Sequence, residues 1–277
     1  MRPALRPTLR ALTVLACGLS GLVCAPPDDD PTTAAPAPVA GALAYHADWR
    51  LEGVTAHADG AWSVTNDLGH VITVTRGYLT TYSVELAECS DLDGATGQRG
   101  WLRSLLGGGV AHAGHDDVPN PVAMQVAQVE TLVPLSPRQL GTAAVIGRTY
   151  CRAHYLVARA PEDALDLPND VDMVATALLL EGTWQATPEA APQPFAVRTS
   201  LANGRIAELV KPGDDTAFRL DTTAQPGARV TVWRDPARLF DGVDFGAMGD
   251  RAVQRALLTN LMDDLQITTT PVVAAEG

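Results

Sequence analysis

Residues 72–86 read Ile72-Thr73-Val74-Thr75-Arg76-Gly77-Tyr78-Leu79-Thr80-Thr81-Tyr82-Ser83-Val84-Glu85-Leu86. Ile72, Val74, Tyr78, Tyr82, Val84 and Leu86 alternate with Thr73, Thr75, Thr81, Ser83 and Glu85. Side chains two apart share one face of an extended chain, so this period predicts a long half-buried strand, or two strands broken by a bulge at Gly77. The same signal recurs on both sides. Strands are expected at 61–66, 126–133, 150–159, 174–184, 194–201, 205–210, 217–221 and 229–234. Asn203-Gly204 carries the residue types that favour positive φ and reads as a two-residue hairpin turn. Ala177-Leu178-Leu179-Leu180 is apolar on both faces, as a central strand is. Two helices close the chain. Asp235-Pro236 opens a short one with an N-cap and Pro at the first helical position. Residues 250–265 place Val253, Leu257, Leu261 and Leu265 along one stripe. Many strands with helices only at the end predict an all-β fold, an antiparallel β-sandwich with short C-terminal helices.

The chain has 277 residues, 46% of them apolar, and a net charge of −12. Removing Arg2, Arg6 and Arg10 with a leader makes it more negative by three. That charge repels nucleic acid and argues against it as a partner. Lys211 is the only lysine, which reads as codon bias. The start has the form of an export signal: a positive stretch to Arg10, an apolar run from Ala11 to Val23, then Ala25-Pro26-Pro27. The apolar run is too short for a stable transmembrane helix.

Gly21-Leu22-Val23-Cys24 resembles the box of a bacterial lipoprotein signal, in which the cysteine becomes the lipidated first residue. Val14-Leu15-Ala16-Cys17 fits the box better but has about half the usual apolar length before it. The resemblance implies a leader over 1–24, lipidation at Cys24 and a membrane partner through that anchor. The protein would then sit in the periplasm or cell envelope, at the outer membrane. Plain secretion is the alternative, and Pro26 would hinder a simple cut after Cys24-Ala25. Residues 25–42 are rich in Pro, Ala and Asp and are expected to be a disordered tether. A single β-sandwich domain is expected over 43–277.

Cys89 and Cys151 remain in the exported chain, and in an oxidising compartment an even pair reads as a disulfide. Its loop of about 60 residues would stabilise the fold by roughly 4 kcal/mol on the chain-entropy model. The rival reading makes them thiolate metal ligands. Inside that loop lies Ala111-His112-Ala113-Gly114-His115-Asp116-Asp117, with two of the chain's six histidines. A Gly-rich approach at Gly107-Gly108-Gly109 lets the backbone turn both imidazoles toward one ion, and Asp116 or Asp117 offers oxygen. His154, three residues past Cys151, is the candidate third ligand. Neutral imidazole suits copper(II), zinc or nickel, and Met124 or Met173 would tilt the site toward copper(I). Binding through imidazole would weaken below about pH 6.

The layout over residues 69–159, a strand ending in Cys, a His-bearing insertion and a second Cys opening a strand, resembles periplasmic copper-binding lipoproteins. The resemblance ranks copper above zinc. His46, His57 and His70 are scattered and read as surface or hydrogen-bonded residues. Asp241, Asp244 and Asp250 lack calcium-loop spacing and read as helix caps and solvated groups. No nucleophile elbow, HExxH, phosphate loop or dinucleotide fingerprint occurs in the exported chain, so an enzyme is not expected. A Ser–His–Asp group assembled from distant residues is recognised by geometry instead. A cell-envelope adhesion or assembly module without a cofactor is the other functional class.

Overall fold

The structure is a computed structural model that describes residues 41–89, 120–224 and 227–272. The leader, most of the tether, His112, His115 and Asp116 lie outside the described residues. Along the chain run β1 (Ala42–Trp49), β2 (Thr55–Ala56), β3 (Trp62–Thr65), β4 (Val71–Glu88), β5 (Gln128–Thr131), β6 (Arg138–Ala144) and β7 (Thr149–Val157). Then come β8 (Leu178–Gln185), β9 (Gln193–Thr199), β10 (Asn203–Val210), β11 (Leu220–Asp221), β12 (Ala228–Arg234), α1 (Arg251–Asp263) and β13 (Gln266–Pro271). The protein is mostly β, as expected.

The strands join in one sheet of order β2-β3-β4-β7-β10-β13-β12-β1-β6, with β5 and β8 on β4, β9 on β8 and β11 on β7. The expectation of purely antiparallel pairing is corrected: β1 pairs with β12 and β10 with β13 in parallel. Such pairs need long crossovers, which strand-by-strand reading does not reveal.

Strand β4 is the spine, 18 residues long and unbroken. Its pairing slips between Val74 and Arg76 against β8, and between Thr81 and Ser83 against β7. Each slip leaves an extra residue, Thr75 and then Tyr82, and so turns every following side chain to the other face. The bulges therefore flank Gly77, which itself pairs with Leu180. Ile72 and Val74 face the main core, then Leu79, then Val84 and Leu86. Thr81 is also fully buried. Tyr78 and Tyr82, expected inside, instead pack on a small second cluster of Ala127, Val129, Ala160, Ala164, Met173 and Leu179. Residues 158–177 cover this face, fastened by Arg76 to Asp170 (2.8 Å) and Arg138 to Asp166 (2.6 Å).

Strands from both ends of the sheet path contribute to one main core, among them Leu43, Trp62, Tyr155, Val230 and Ile267. Arg234, at the end of β12, is fully buried and meets Glu130 of β5 through two bonds of 3.0 and 2.7 Å. Thr81 donates to the same carboxylate (2.5 Å), Tyr155 Oη lies 3.2 Å from the guanidinium, and Trp49 stacks 4.0 Å from it. Burial pulls the guanidinium pKa down, but Glu130 and Tyr155 more than reverse this and hold Arg234 charged.

Two local expectations fail. Residues 235–240 form turns instead of a helix, and the only other helical piece described besides α1 is one 3₁₀ turn at Phe245–Ala247. Asp235 still accepts from the Ala237 N–H (2.8 Å), so the N-cap chemistry is present without a helix to continue it. Asn203-Gly204 is not a hairpin turn. Both residues lie within β10, opposite Val157 and Leu156, while β9 pairs with β8.

Candidate functional site

Three strands set the surroundings of His154. Register places Glu85 of β4 and Ile206 of β10 on either side of it. Its chain neighbours Ala153 and Tyr155 are fully buried. Alternation therefore puts His154 on the opposite, outer face, where its side chain is 31% exposed. His154 Nδ1 lies 3.2 Å from Glu85 Oε1. An ionised carboxylate only accepts, so Nδ1 is the donor in this contact, and the tautomer it selects carries its lone pair on Nε2. That nitrogen lies over Gly204, where a Cβ would stand only 3.0 Å away. A Cβ at 204 would stand equally close to the Tyr155 carbonyl, so glycine here serves close packing of β10 on β7 and not a turn.

Glu85 is held in turn. Asn120 Nδ2 donates to its Oε2 (3.3 Å), and Asn120 is the first described residue after the segment that carries His112 and His115. The bond from His154 holds the Glu85 carboxyl below the usual carboxylate range; burial opposes this and the Asn120 bond adds to it. At the other end of that segment, Cys89 and Cys151 stand at disulfide distance, with Cα atoms 5.0 Å apart. Next along the outer face, Arg152 and Glu208 approach to 3.6 Å.

Of the proposed ligands, His154 is described and placed; His112, His115, Asp116 and the lipidation position Cys24 lie outside the described residues. Among the described residues no group of three His, Cys, Asp or Glu side chains gathers to hold a metal. Met124 and Met173 are buried, one in each hydrophobic cluster. Glu85, Asn120 and Gly204 were missed by sequence reading. Glu85 was legible only as a polar member of the alternation, since its partner depends on the register of β4 against β7.

The other histidines are held separately. His46 is buried on β1, where burial first and then Arg229 lower its pKa. His70 packs against Trp184 with ring centres 5.2 Å apart. His57 Nε2 lies 2.6 Å from Ser63 Oγ, which also meets Thr73 Oγ1 at 2.8 Å. Among the described residues no carboxylate bonds to His57. Ser63 is nearly buried and sits in a strand paired on both sides, so its neighbouring N–H groups are committed to ladders. Asp244 caps the 3₁₀ turn through the Gly246 N–H (2.8 Å), as expected. Asp241 is instead mostly covered, pairing with Arg238 (3.1 Å) and accepting from the Asp67 N–H (3.1 Å), and Asp250 stands at the N-cap of α1 with no side-chain bond to it.

No family model matches the chain, and no curated protein or solved structure matches it. Among the described residues no helix is long and apolar enough to cross a membrane.

Proposed function

We propose that the protein binds a transition metal, copper before zinc, with His154 as the fixed ligand and His112, His115 and Asp116 supplying the rest. The observation that carries this reading is the Glu85 carboxylate on Nδ1 of His154. Metal-ligating imidazoles generally donate their second N–H to such a partner, which orients the ring and raises its basicity. Support also comes from the attachments of residues 90–119. One end is tied to Cys151, three residues from His154, and the other to the carboxylate that holds His154. In this reading the chain is exported, lipidated at Cys24 and carried on a tether in the periplasm at the outer membrane. The sheet folds over as a sandwich of two facing layers joined across the core by Arg234 and Glu130.

Metal content by mass spectrometry on the untagged chain purified from the periplasm tests the proposal. About one equivalent of copper or zinc is expected, lost in His112→Ala/His115→Ala and in His154→Ala. Glu85→Gln should weaken binding by about 10–100-fold. A protein that is empty as isolated and takes up neither ion on addition sinks the reading. The alternative, an envelope adhesion or assembly module, draws on a different observation. Among the described residues β6 and β9 each pair on one side only, leaving edges that accept an added strand.

A further inference from the structure

We infer that the outer edge of β6 docks an extended peptide of a partner protein, with small apolar residues in its paired stretch and basic residues at its ends. This is independent of the metal-binding reading. It rests on the second reading, to which it gives a site and a ligand chemistry. The sheet path runs from β4 through β7, β10, β13, β12 and β1 to β6, and there it comes back almost to its start. Opposite β6 lies the turn at residues 120–125, fastened to β4 by the Met124 N–H on the Val84 carbonyl (2.8 Å). Tyr45 of β1 donates to the Val122 carbonyl, and a Cβ on Gly141 would stand 3.3 Å from Met124 Cγ, so the two banks touch there. Beyond that contact they part around an open cleft of about 350 Å³. Pro121 and Gln125 line one bank, and Thr142, Ala143 and Ala144 the other.

Only one bank has backbone to offer. Pro121 has no N–H, and those of Val122, Ala123 and Met124 are spent on Asn120 Oδ1 (3.2 Å), the Asn120 carbonyl (2.9 Å) and Val84. The Val122 carbonyl takes Tyr45, and the Ala123 carbonyl takes Gln125 Nε2 (2.6 Å). The turn is therefore a wall and cannot zip onto β6. Strand β6 pairs with β1 alone among the described residues, which leaves alternate N–H and C=O groups of its outer edge without a ladder partner. Such edges are usually guarded by charges or proline. Residues 139–147 contain neither. The charges that flank them are engaged, Arg138 with Asp166 (2.6 Å) and Arg148 with Glu88. An added strand lies about 4.8 Å from β6. The methyl and methylene groups of Pro121, Thr142, Ala143 and Ala144 then meet its side chains, and the narrow cleft selects small apolar ones. A chain of net charge −12 attracts basic ends and repels acidic ones, which sets the flanks.

Amide hydrogen exchange of the untagged chain, in EDTA so that bound metal plays no part, tests this. The probe is a synthetic peptide of alternating valine and alanine with lysines at both ends; its counterpart carries glutamates there instead. At saturation the lysine peptide should slow exchange at residues 139–144 by at least about tenfold. By fluorescence anisotropy the glutamate peptide should bind at least about tenfold more weakly. N-methylation of alternate peptide amides, in whichever register faces β6, removes the donors, and Ala144→Tyr at an exposed position fills the cleft. Each should weaken the lysine peptide by at least about tenfold, while circular dichroism confirms that the variant is folded. Slowing at residues 193–199 of β9 instead overturns the choice of site and leaves the second reading standing. Slow exchange at 139–144 before any peptide is added also overturns it: the edge is then filled by a second copy if the effect grows with protein concentration, and within the chain if it does not. No slowing at either edge with millimolar peptide overturns the inference together with the edge pairing on which the second reading draws.

Discussion

Replacing Arg234 by methionine removes the guanidinium while keeping most of the volume of its stem. Glu130 then loses both of its guanidinium bonds and keeps only the Thr81 hydroxyl, within a site from which water is excluded. Breaking a buried pair by removing one partner costs about 3–5 kcal/mol, because the remaining charge is uncompensated. Loss of the stack on Trp49 contributes up to about 2 kcal/mol of the same total. For a domain of this size each kcal/mol moves Tm by about 2–4 °C, so Arg234→Met should melt about 6–20 °C lower. Urea unfolding of four proteins completes the cycle: wild type, Arg234→Met, Glu130→Gln and the double variant. Neutralising Glu130 in the Arg234→Met background removes the stranded charge, so the double variant should recover at least about 1 kcal/mol over Arg234→Met alone. A Glu130→Gln effect equal in both backgrounds, with unchanged m-values, would refute the claim that the two charges depend on each other.

Gly182→Ala should cut soluble yield and lower Tm, since the added methyl group would run into the Thr73 carbonyl of the paired strand; the cost is about 1–3 kcal/mol or more, and an unchanged Tm would mean that β4 and β8 yield there. Cys89→Ser/Cys151→Ser should lose roughly 4 kcal/mol, set by the sequence separation of 62 residues, measured by denaturant unfolding under non-reducing conditions. His46 has a lowered pKa in the folded protein, so the unfolded chain takes up a proton near pH 6.5 while the folded one stays neutral to lower pH. Stability from this group is therefore fully present above pH 6.5 and falls as the pH drops below it. His46→Gln should flatten that part of the stability profile, and a slope identical to wild type would assign the acid sensitivity elsewhere. Glu85 acts in a lower window: its depressed pKa gives stability that is present above the unfolded value of 4.5 and is lost as pH falls through the folded value, which Glu85→Gln should remove.

Alternation made β4, β7 and β12 legible because each is rich in β-branched and aromatic residues. It gave no notice of β6, Arg138–Ala144, whose Gln, Gly and Ala residues carry little strand preference and which buries only Leu140 and Ala143. The bulges at Thr75 and Tyr82 were equally silent, since each is defined by its partner strand, and they reversed the expected facing of Tyr78 and Tyr82. Asn203-Gly204 misled for a related reason: local turn preference does not record which strand comes next, and here β9 and β10 have different partners. His154 was found through its spacing from Cys151. Its carboxylate partner and the glycine beneath it required the registers of β4, β7 and β10, which no local pattern encodes.

The placement of β1 between β6 and β12 bears on how the chain comes to its final form. Leu43 to Trp49 find one neighbour only at residues 138–144 and the other only at 228–234. A chain emerging in order holds its first strand without a parallel partner until almost the whole sequence is present. Closing that gap links distant parts of the chain, the kind of topology that folds slowly. Nascent or truncated forms ending before Ala228 should expose an unzipped β1 edge, a target for proteases and for holding chaperones.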